Sequence, residues 1–131
     1  MKDKDLEIGS EYTHRLLSCA YNVHSTLGPG LLESVYEKAL FYELQLQGFD
    51  VKSQMPLKVN YRDITLDLDL RLDIIVDNKV ILELKSVQEL SPVYYKQLQT
   101  YLRLTKCELG YLINFNVAHL KNGIKREINA Y

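Results

Sequence analysis

Apolar positions three or four residues apart predict a helix near the start of the chain, from about Glu11 to Leu27. Ser10 is its predicted N-cap, since a serine hydroxyl accepts a hydrogen bond from the first turn. Gly28-Pro29-Gly30 is expected to end the helix, because both residue types disfavour its continuation. The positions that define its apolar stripe are Leu16, Leu17, Ala20, Val23 and Leu27.

A second helical stripe follows directly and predicts a helix from about Leu31 to Gln47. Gly48 suits the position after a helix C-terminus, where a left-handed backbone is common. The predicted inward stripe of this helix consists of Leu32, Val35, Tyr36, Ala39 and Leu40.

The pattern then changes to strands. We predict a first strand from Lys52 to Tyr61, a second from Ile64 to Val76 and a third from Lys79 to Lys85. The second strand alternates most clearly, because every other position is apolar and polar residues lie between them. Its apolar set is Ile64, Leu66, Leu68, Leu70 and Leu72, and its polar set is Thr65, Asp67, Asp69 and Arg71.

Ser91-Pro92 predicts the start of a third helix, which runs to about Leu104, because serine is a good N-cap and proline is favoured at the first helical position. The mostly apolar segment from Leu109 to Phe115 is typical of a central strand, and residues 116–131 are interpreted as one more, terminal strand. The order α-α-β-β-β-α-β predicts an α/β (α+β) domain with a mixed β-sheet flanked by helices. The residues of the third helix that we expect to pack inward are Tyr94, Leu98, Tyr101 and Leu102.

Chain length and composition limit the classes of protein to which this chain can belong. A chain of 131 residues fits one domain, which we assign to residues 10–131, after a mobile N-terminal tail over residues 1–9. No apolar run approaches the roughly 20 residues that span a bilayer, and the charged N-terminus lacks the apolar core of a signal peptide. The isolated Cys19 and Cys107 are expected to be reduced thiols rather than zinc ligands. We therefore expect a cytoplasmic protein.

Charge is unevenly distributed along the chain although the net charge is only −1. Residues 1–83 hold nine Lys/Arg against 14 Asp/Glu, a balance of −5, whereas residues 84–131 hold seven against three, a balance of +4. A basic C-terminal third can face phosphates. Charge alone favours the simpler interpretation, an uneven solvated surface.

The candidate chemistry lies in the second and third strands. Glu83 and Lys85 are two residues apart on a strand, so they project from the same face, and Leu82 and Leu84 project from the other. Asp73 joins them only if residues 77–79 form a three-residue loop, which places Val76 opposite Val80 and Asp73 opposite Glu83. Such a loop commonly needs a left-handed backbone, which Asn78 or a neighbour is expected to supply.

Two carboxylates on one face form a site for a hard cation such as Mg²⁺, which prefers oxygen ligands. A cation there would lower the pKa of bound water and stabilise charge on a phosphate, and Lys85 would position the water or neutralise the transition state. The alternative interpretation is a surface salt bridge between Glu83 and Lys85. The spacing of Asp73, Glu83 and Lys85 does not choose between the two.

Neighbouring helices offer three further candidates. Glu33 and Glu37 lie one turn apart on the second helix, and either can supply another carboxylate. Gln97, on the third helix, can orient water or contact a phosphate. The competing interpretation for each of the three is an ordinary solvated surface residue.

Taken together, these motifs resemble the GxxExxY proteins, a small prokaryotic branch of the PD-(D/E)XK nuclease superfamily. The segment Gly30-Leu-Leu-Glu33-Ser-Val-Tyr36 reproduces the pattern that names them. The resemblance covers about residues 10–128. The other segments that carry it are Asp73, Glu83-Leu-Lys85, Gln97-Leu-Gln-Thr-Tyr101-Leu and Gly110-Tyr-Leu-Ile-Asn114-Phe115.

The resemblance implies a restriction-endonuclease-like core and a phosphodiesterase site that uses Mg²⁺ or Mn²⁺. It assigns Glu33, Asp73 and Glu83 to the metal, Lys85 to catalysis and Gln97 to an auxiliary catalytic role. One departure is Tyr94, which stands where the family often carries a histidine.

We therefore expect a metal-dependent nuclease that acts on DNA or, as the weaker case, RNA. A homodimer or higher homo-oligomer is expected, because a small domain needs a second copy to reach both strands of a duplex. The alternative is a catalytically silent module of the same fold, which binds nucleic acid or serves as a homo-oligomeric structural protein.

Overall fold

The structure, a computed structural model, describes residues 10–131. The tail predicted for residues 1–9 lies outside the described residues. Three helices, five strands and a short 3₁₀ turn follow in the order α1, α2, β1, β2, β3, α3, β4, turn and β5. Their bounds are α1 Glu11–Leu27, α2 Glu33–Leu46, β1 Val51–Tyr61, β2 Ile64–Val76, β3 Val80–Lys85, α3 Pro92–Thr105, β4 Leu109–Asn114, the turn Leu120–Gly123 and β5 Ile124–Ile128.

The two serines predicted as helix caps fulfil that role. Ser10 Oγ accepts a hydrogen bond from the Thr13 N–H at 3.2 Å, and Ser91 Oγ accepts one from the Val93 N–H at 3.3 Å. Each hydroxyl satisfies a backbone donor that the first turn of a helix leaves without a partner. The terminal strand predicted within residues 116–131 is also confirmed, as β5.

The strands form one mixed sheet in the order β1-β2-β3-β4-β5. The β3–β4 pair is parallel and contains the crossover through α3, whereas the other neighbouring pairs are antiparallel. Helices α1 and α2 pack with Ile74, Val76 and Leu82 on one face, and α3 packs with Ile75 and Ile81 on the other. The predicted α/β (α+β) class, with a mixed sheet flanked by helices, is confirmed.

Helix α2 differs from its predicted amphipathic pattern. Its buried residues are Tyr36, Leu40 and Leu44, whereas Leu32 and Val35 are exposed. The prediction that Leu32 and Val35 face inward was therefore wrong. The reason is that α2 carries apolar residues on two sides, and only one side can face the sheet.

The β1–β2 hairpin extends beyond the helical layers. Its register shifts between Leu57 and Lys58, and Asp69 opposite this shift adopts a left-handed φ of 57°. Beyond this point the apolar side chains of Ile64 and Leu66 are exposed. The alternation in β2 therefore predicts the strand correctly, but at the tip of the hairpin it does not indicate burial.

Both cysteines, Cys19 and Cys107, are free, as expected, and both are buried. Of the three helices within residues 10–131, none combines the length and apolarity that a membrane span requires.

Candidate active site

The β2–β3 hairpin brings the two predicted acids together. Val76 pairs with Val80 and Ile74 pairs with Leu82, so the next position places Asp73 opposite Glu83. Asp77 and Asn78 both adopt a φ of 53°, in the left-handed region that the three-residue loop requires. The predicted register and loop are therefore confirmed.

Asp73 and Glu83 are held by reciprocal hydrogen bonds across this hairpin. The Asp73 N–H donates to Glu83 Oε2 at 3.0 Å, and the Leu84 N–H donates to Asp73 Oδ2 at 2.8 Å. The second oxygen of each carboxylate accepts no hydrogen bond from residues 10–131. The hairpin therefore fixes both side chains and leaves one oxygen of each available to a ligand.

Burial makes ionisation of this pair unfavourable. Glu83 is only 6% exposed, and burial together with the neighbouring charge of Asp73 raises its pKa to about 8. Burial also raises the pKa of Asp73, and the charges of Glu37 and Glu33 act in the same direction. Two carboxylates that lie side by side in a largely buried site lose their protons less readily unless a cation compensates the charge.

Lys85 lies on the same strand face as Glu83 and lowers the pKa of both acids by its charge. No ion pair joins Lys85 to Glu83 among the described residues. Instead, Lys85 Nζ lies 4.3 Å from the centroid of the Tyr94 ring, a cation–π contact. The alternative interpretation, a surface salt bridge between Glu83 and Lys85, is therefore wrong.

Glu33 lies at the N-terminus of α2 and contacts the strand that carries Lys85. Its Oε2 accepts a hydrogen bond from the Ser86 N–H at 3.2 Å, and Ser86 Oγ donates to the Leu31 carbonyl at 2.6 Å. These two bonds fasten the start of α2 to the end of β3. Glu33 is thus next to the site, and its carboxylate is partly engaged in holding Ser86.

Glu37 affects the ionisation of the acid pair more than its position in the sequence indicated. Its charge raises the pKa of both Asp73 and Glu83, and for Asp73 its effect is larger than that of Glu33. Its two carboxylate oxygens accept hydrogen bonds from Gln54 Nε2 at 2.9 and 3.0 Å. The sequence indicated Glu37 as a candidate only through its position one turn after Glu33 on the same helix.

Tyr36, the last residue of the GxxExxY segment, has a structural role. Its hydroxyl donates to the Gly28 carbonyl at 2.5 Å and accepts from the Leu31 N–H at 3.1 Å, while its ring stacks on Phe115 at a centroid distance of 4.5 Å. Gly30 in this loop has a φ of 99°, which disfavours any residue with a side chain. The segment therefore holds the α1–α2 loop in the shape that presents Glu33.

Asn114 fastens the same region from the other side. This buried side chain accepts a hydrogen bond from the Val87 N–H at 3.1 Å and donates to the Val87 carbonyl at 3.0 Å. The segment after β3 is therefore held by Glu33 through Ser86 and by Asn114 through Val87. These contacts fix the end of the strand that carries Lys85.

Gln97 is exposed on α3, and its side-chain amide makes no hydrogen bond within the described part of the chain. It lies three residues after Tyr94, which contacts Lys85, and four before Tyr101, whose pKa is raised by burial and by the charges of Glu83 and Asp73. Helical spacing places the three residues on one side of α3. Gln97 therefore faces the region of the site with its amide free.

The residues fit a hard cation only in part. Asp73 and Glu83 supply oxygen ligands whose charges need compensation, as such a site requires. Within residues 10–131, however, no three His, Cys, Asp or Glu side chains are gathered as a ready-made ligand set. Mg²⁺ retains several waters and commonly binds through one or two carboxylates, so a pair of acids lies within its usual number of protein ligands.

A mixed sheet between helices, with two acids and a lysine on adjacent strands, defines a restriction-endonuclease-like domain. The sequence model of the PD-(D/E)XK nuclease superfamily matches residues 10–127, so the chain belongs to this superfamily. Searches of the curated proteins and of the solved structures gave no significant match. Assignment to the narrower GxxExxY branch agrees with the superfamily match and stays a prediction.

Proposed function

We propose that this protein is a divalent-cation-dependent nuclease that hydrolyses phosphodiester bonds in DNA. The observation that carries the proposal is a pair of acids, the half-buried Asp73 and the buried Glu83, whose carboxylates accept hydrogen bonds from backbone N–H groups of the facing strand, with Lys85 on the same face. Such a pair is unfavourable for stability alone, since burial and mutual repulsion raise both pKa values. Membership of a nuclease superfamily makes nucleic acid the expected substrate.

Asp73 and Glu83 would hold Mg²⁺ or Mn²⁺, and Glu33 would add a ligand directly or through water. When bound, the cation supplies an acidified water and compensates negative charge on the phosphate. Asp73 and Glu83 would ionise on binding the cation, because its positive charge would outweigh the effects that raise their pKa values.

Lys85 would stabilise the negative charge that develops on the phosphate, or orient the attacking water. The ring of Tyr94 holds its ammonium group in place without neutralising it, as a carboxylate partner would. Gln97, whose amide is free, would contact the substrate or the water from α3. DNA is proposed over RNA, with the basic residues after position 83 contacting the backbone.

Plasmid and single-stranded DNA cleavage, with Mg²⁺ or Mn²⁺ or with a chelator, tests the proposal. We expect cation-dependent cleavage that Lys85→Ala lowers by about 10²-fold, a typical loss when one charge-stabilising group is removed. Lys58→Ala, at an exposed lysine of β1, is the matched control and should retain wild-type activity. Absence of cleavage on every DNA and RNA substrate, together with no cation binding by calorimetry, would refute the proposal.

A second expectation concerns Tyr94. Tyr94→Leu should lower cleavage by about fivefold, since a lost cation–π contact is worth roughly 1 kcal/mol, whereas Tyr94→Phe keeps an aromatic ring and should stay within about twofold. Steady-state rates on one DNA substrate provide the measurement. Equal losses in the two variants would contradict a role for the ring.

The silent alternative makes a different prediction. A module that only binds nucleic acid retains binding in Asp73→Ala and Lys85→Ala and shows no cation-dependent cleavage in the wild type.

We further propose that the protein acts in the cytoplasm, which the free Cys19 and Cys107 support, and that it forms a homodimer or higher homo-oligomer.

A further inference from the structure

A cavity of about 560 Å³ lies between the C-terminal end of α1 and the segment that follows β4. Gly28 and Pro29 of the α1–α2 loop complete the wall formed by α1, and residues 118–121 form the facing wall. The volume is within the roughly 300–1,000 Å³ that is usual for small-molecule sites. The described residues that line it include none of those proposed for catalysis, so it is a second candidate site. We call it the α1 cavity.

His24 gives the α1 cavity a hydrogen-bond acceptor in a nearly buried position. The side chain is 9% exposed, and its Nε2 lies 2.8 Å from the Val117 carbonyl oxygen. A carbonyl can only accept, so Nε2 carries the proton and Nδ1 of the neutral ring has a free lone pair. Nδ1 has no hydrogen-bond partner within residues 10–131, where the only fully buried side-chain atom without a partner is Arg126 Nη1. Nδ1 is therefore accessible, and a ligand in the cavity can donate an N–H to it.

Flat rings line the cavity on both sides of this acceptor. Tyr21, which is 42% exposed, belongs to the wall formed by α1, and the exposed ring of His119 belongs to the facing wall, beside the buried Leu120. Nucleobases stack on aromatic side chains of this kind with little sequence preference. Most bases also carry an exocyclic amino group, which is a hydrogen-bond donor. A base can therefore stack on Tyr21 while its amino group donates to His24 Nδ1.

The charge around the α1 cavity favours an anionic ligand. Lys121 lines the cavity, is exposed, and makes no ion pair or hydrogen bond with residues 10–131. Of the described residues that line the cavity, none is Asp or Glu. The ammonium group of a lysine is a common partner of phosphate. A base that carries a phosphate therefore matches the lining better than a neutral ring alone.

Both walls of the cavity are hydrogen-bonded to segments that border the candidate active site. In one wall, the Gly28 carbonyl accepts a hydrogen bond from the hydroxyl of Tyr36, in the segment that presents Glu33. Just before the facing wall, Asn116 Nδ2 donates to the Val87 carbonyl at 3.3 Å, in the segment after β3. The α1 cavity therefore borders the loops that hold the candidate active site.

We propose that the α1 cavity is a nucleotide-binding site, in which the base stacks on Tyr21 and donates to His24 while the phosphate contacts Lys121. The nucleotide is either free in solution or one residue of an unpaired strand, since both present the same base and phosphate. A base inside a duplex is excluded, because it is already stacked and paired. Binding does not require cleavage, so this proposal can fail while the nuclease proposal holds, and the reverse.

Titration of the isotope-labelled full chain with deoxyadenosine monophosphate (dAMP), followed by NMR in a chelator, tests the site. We expect changes at the backbone amides of residues 21–28 and 118–121, with a dissociation constant of about 1 mM or below. Deoxyribose phosphate and inorganic phosphate lack the base and should bind at least about tenfold more weakly. The chelator removes divalent cations, so cation-dependent cleavage plays no part in the result.

Substitution of two exposed side chains separates the contacts. Tyr21→Ala should weaken dAMP binding by about fivefold or more, because the stacking surface is lost. Lys121→Ala should weaken dAMP binding by a similar factor and leave deoxyadenosine binding unchanged, because the nucleoside has no phosphate. Tyr61→Ala and Lys58→Ala, both exposed on the β1–β2 hairpin, are the matched controls and should bind dAMP as the wild type does. Far-UV circular dichroism confirms that each variant is folded.

A short single-stranded oligo(dA), titrated in the same chelator, distinguishes the two sources of the nucleotide. If Tyr21→Ala and Lys121→Ala both weaken its binding, the cavity holds a residue of a strand. If only dAMP binds in the cavity, the ligand is a free nucleotide, and either result supports the site.

Three results would overturn the proposal. The first is no change in the cavity at about 10 mM dAMP, or changes centred on Asp73 and Lys85 instead. The second is equal affinity for dAMP and deoxyribose phosphate, which assigns the cavity to phosphate alone. The third is wild-type affinity for dAMP in both Tyr21→Ala and Lys121→Ala.

Discussion

Glu83→Gln is expected to abolish cation-dependent cleavage and, at the same time, to stabilise the cation-free protein at high pH. If Glu83 is a ligand as proposed, its loss should lower cleavage by about 10³-fold or more, because the cation would supply both the acidified water and the charge compensation. Glutamine has nearly the same shape, and its amide oxygen can still accept the hydrogen bond from the Asp73 N–H. The two effects therefore separate the ligand role of Glu83 from its structural role.

The stability effect follows from the raised pKa of Glu83. Burial and the charge of Asp73 raise this pKa from the ordinary 4.5 to about 8. Between these two values the folded protein retains a proton that the unfolded chain has lost, so the free energy of unfolding falls as pH rises. The contribution is fully present below pH 4.5 and is lost as pH rises through 8. Glu83→Gln has no such dependence and should be more stable than wild type by on the order of 5 kcal/mol at pH 8.5.

Thermal unfolding in a chelator, at pH 5 and pH 8.5, measures this effect. We expect equal stability of variant and wild type at pH 5 and a clear advantage of the variant at pH 8.5. Adding Mg²⁺ at pH 8.5 should stabilise the wild type and leave Glu83→Gln unchanged, since only the wild type has both ligands. Glu108→Gln, at an exposed position, is the matched control. Equal pH dependence in Glu83→Gln and wild type would contradict the raised pKa.

Tyr36→Ala is expected to cost about 3–5 kcal/mol of the free energy of unfolding, as large aromatic truncations in cores do. The side chain is fully buried, its ring stacks on Phe115, and its hydroxyl bridges Gly28 and Leu31. Tyr36→Phe retains the ring and should lose about 1–2 kcal/mol, the cost of leaving buried backbone groups without their partner.

Urea unfolding of the three proteins provides the measurement. Tyr61→Ala is the control, because Tyr61 is 56% exposed at the hairpin tip and its loss should cost at most about 0.5 kcal/mol. If Tyr36→Phe and Tyr36→Ala lose the same amount, the hydroxyl rather than the stacked ring dominates. If neither loses stability, the bridging role of Tyr36 is wrong.

The sequence predicted most of the fold because its local signals agree with one another. Ser10 and Ser91 mark helix starts by a mechanism that acts within one turn. The pairing of Asp73 with Glu83 could also be predicted from the sequence, since a loop over residues 77–79 is the arrangement that brings both acids to one face. Local chemistry therefore sets both the elements and the central pair.

Other features depend on contacts between distant segments, which periodicity does not reveal. The outward position of Leu32 and Val35 follows from which side of α2 meets the sheet. The larger influence of Glu37 relative to Glu33 follows from how α2 is placed over Asp73. The contact of Tyr94 with Lys85 depends on the crossover through α3. Each is decided by tertiary packing rather than by neighbours in sequence.

The hydrogen bonds that the Asp73 and Glu83 carboxylates accept across the β2–β3 hairpin also bear on the order of folding events. They join residues ten and eleven positions apart in one hairpin, whereas the bond from Ser86 to Glu33 spans 53 positions. Short loops close faster than long ones, so we expect the acids to meet while still in water and to lose it only when α2 and α3 dock. The electrostatic cost of the site would then fall on the late docking steps, and we expect alkaline conditions to slow those steps more than the formation of the hairpin.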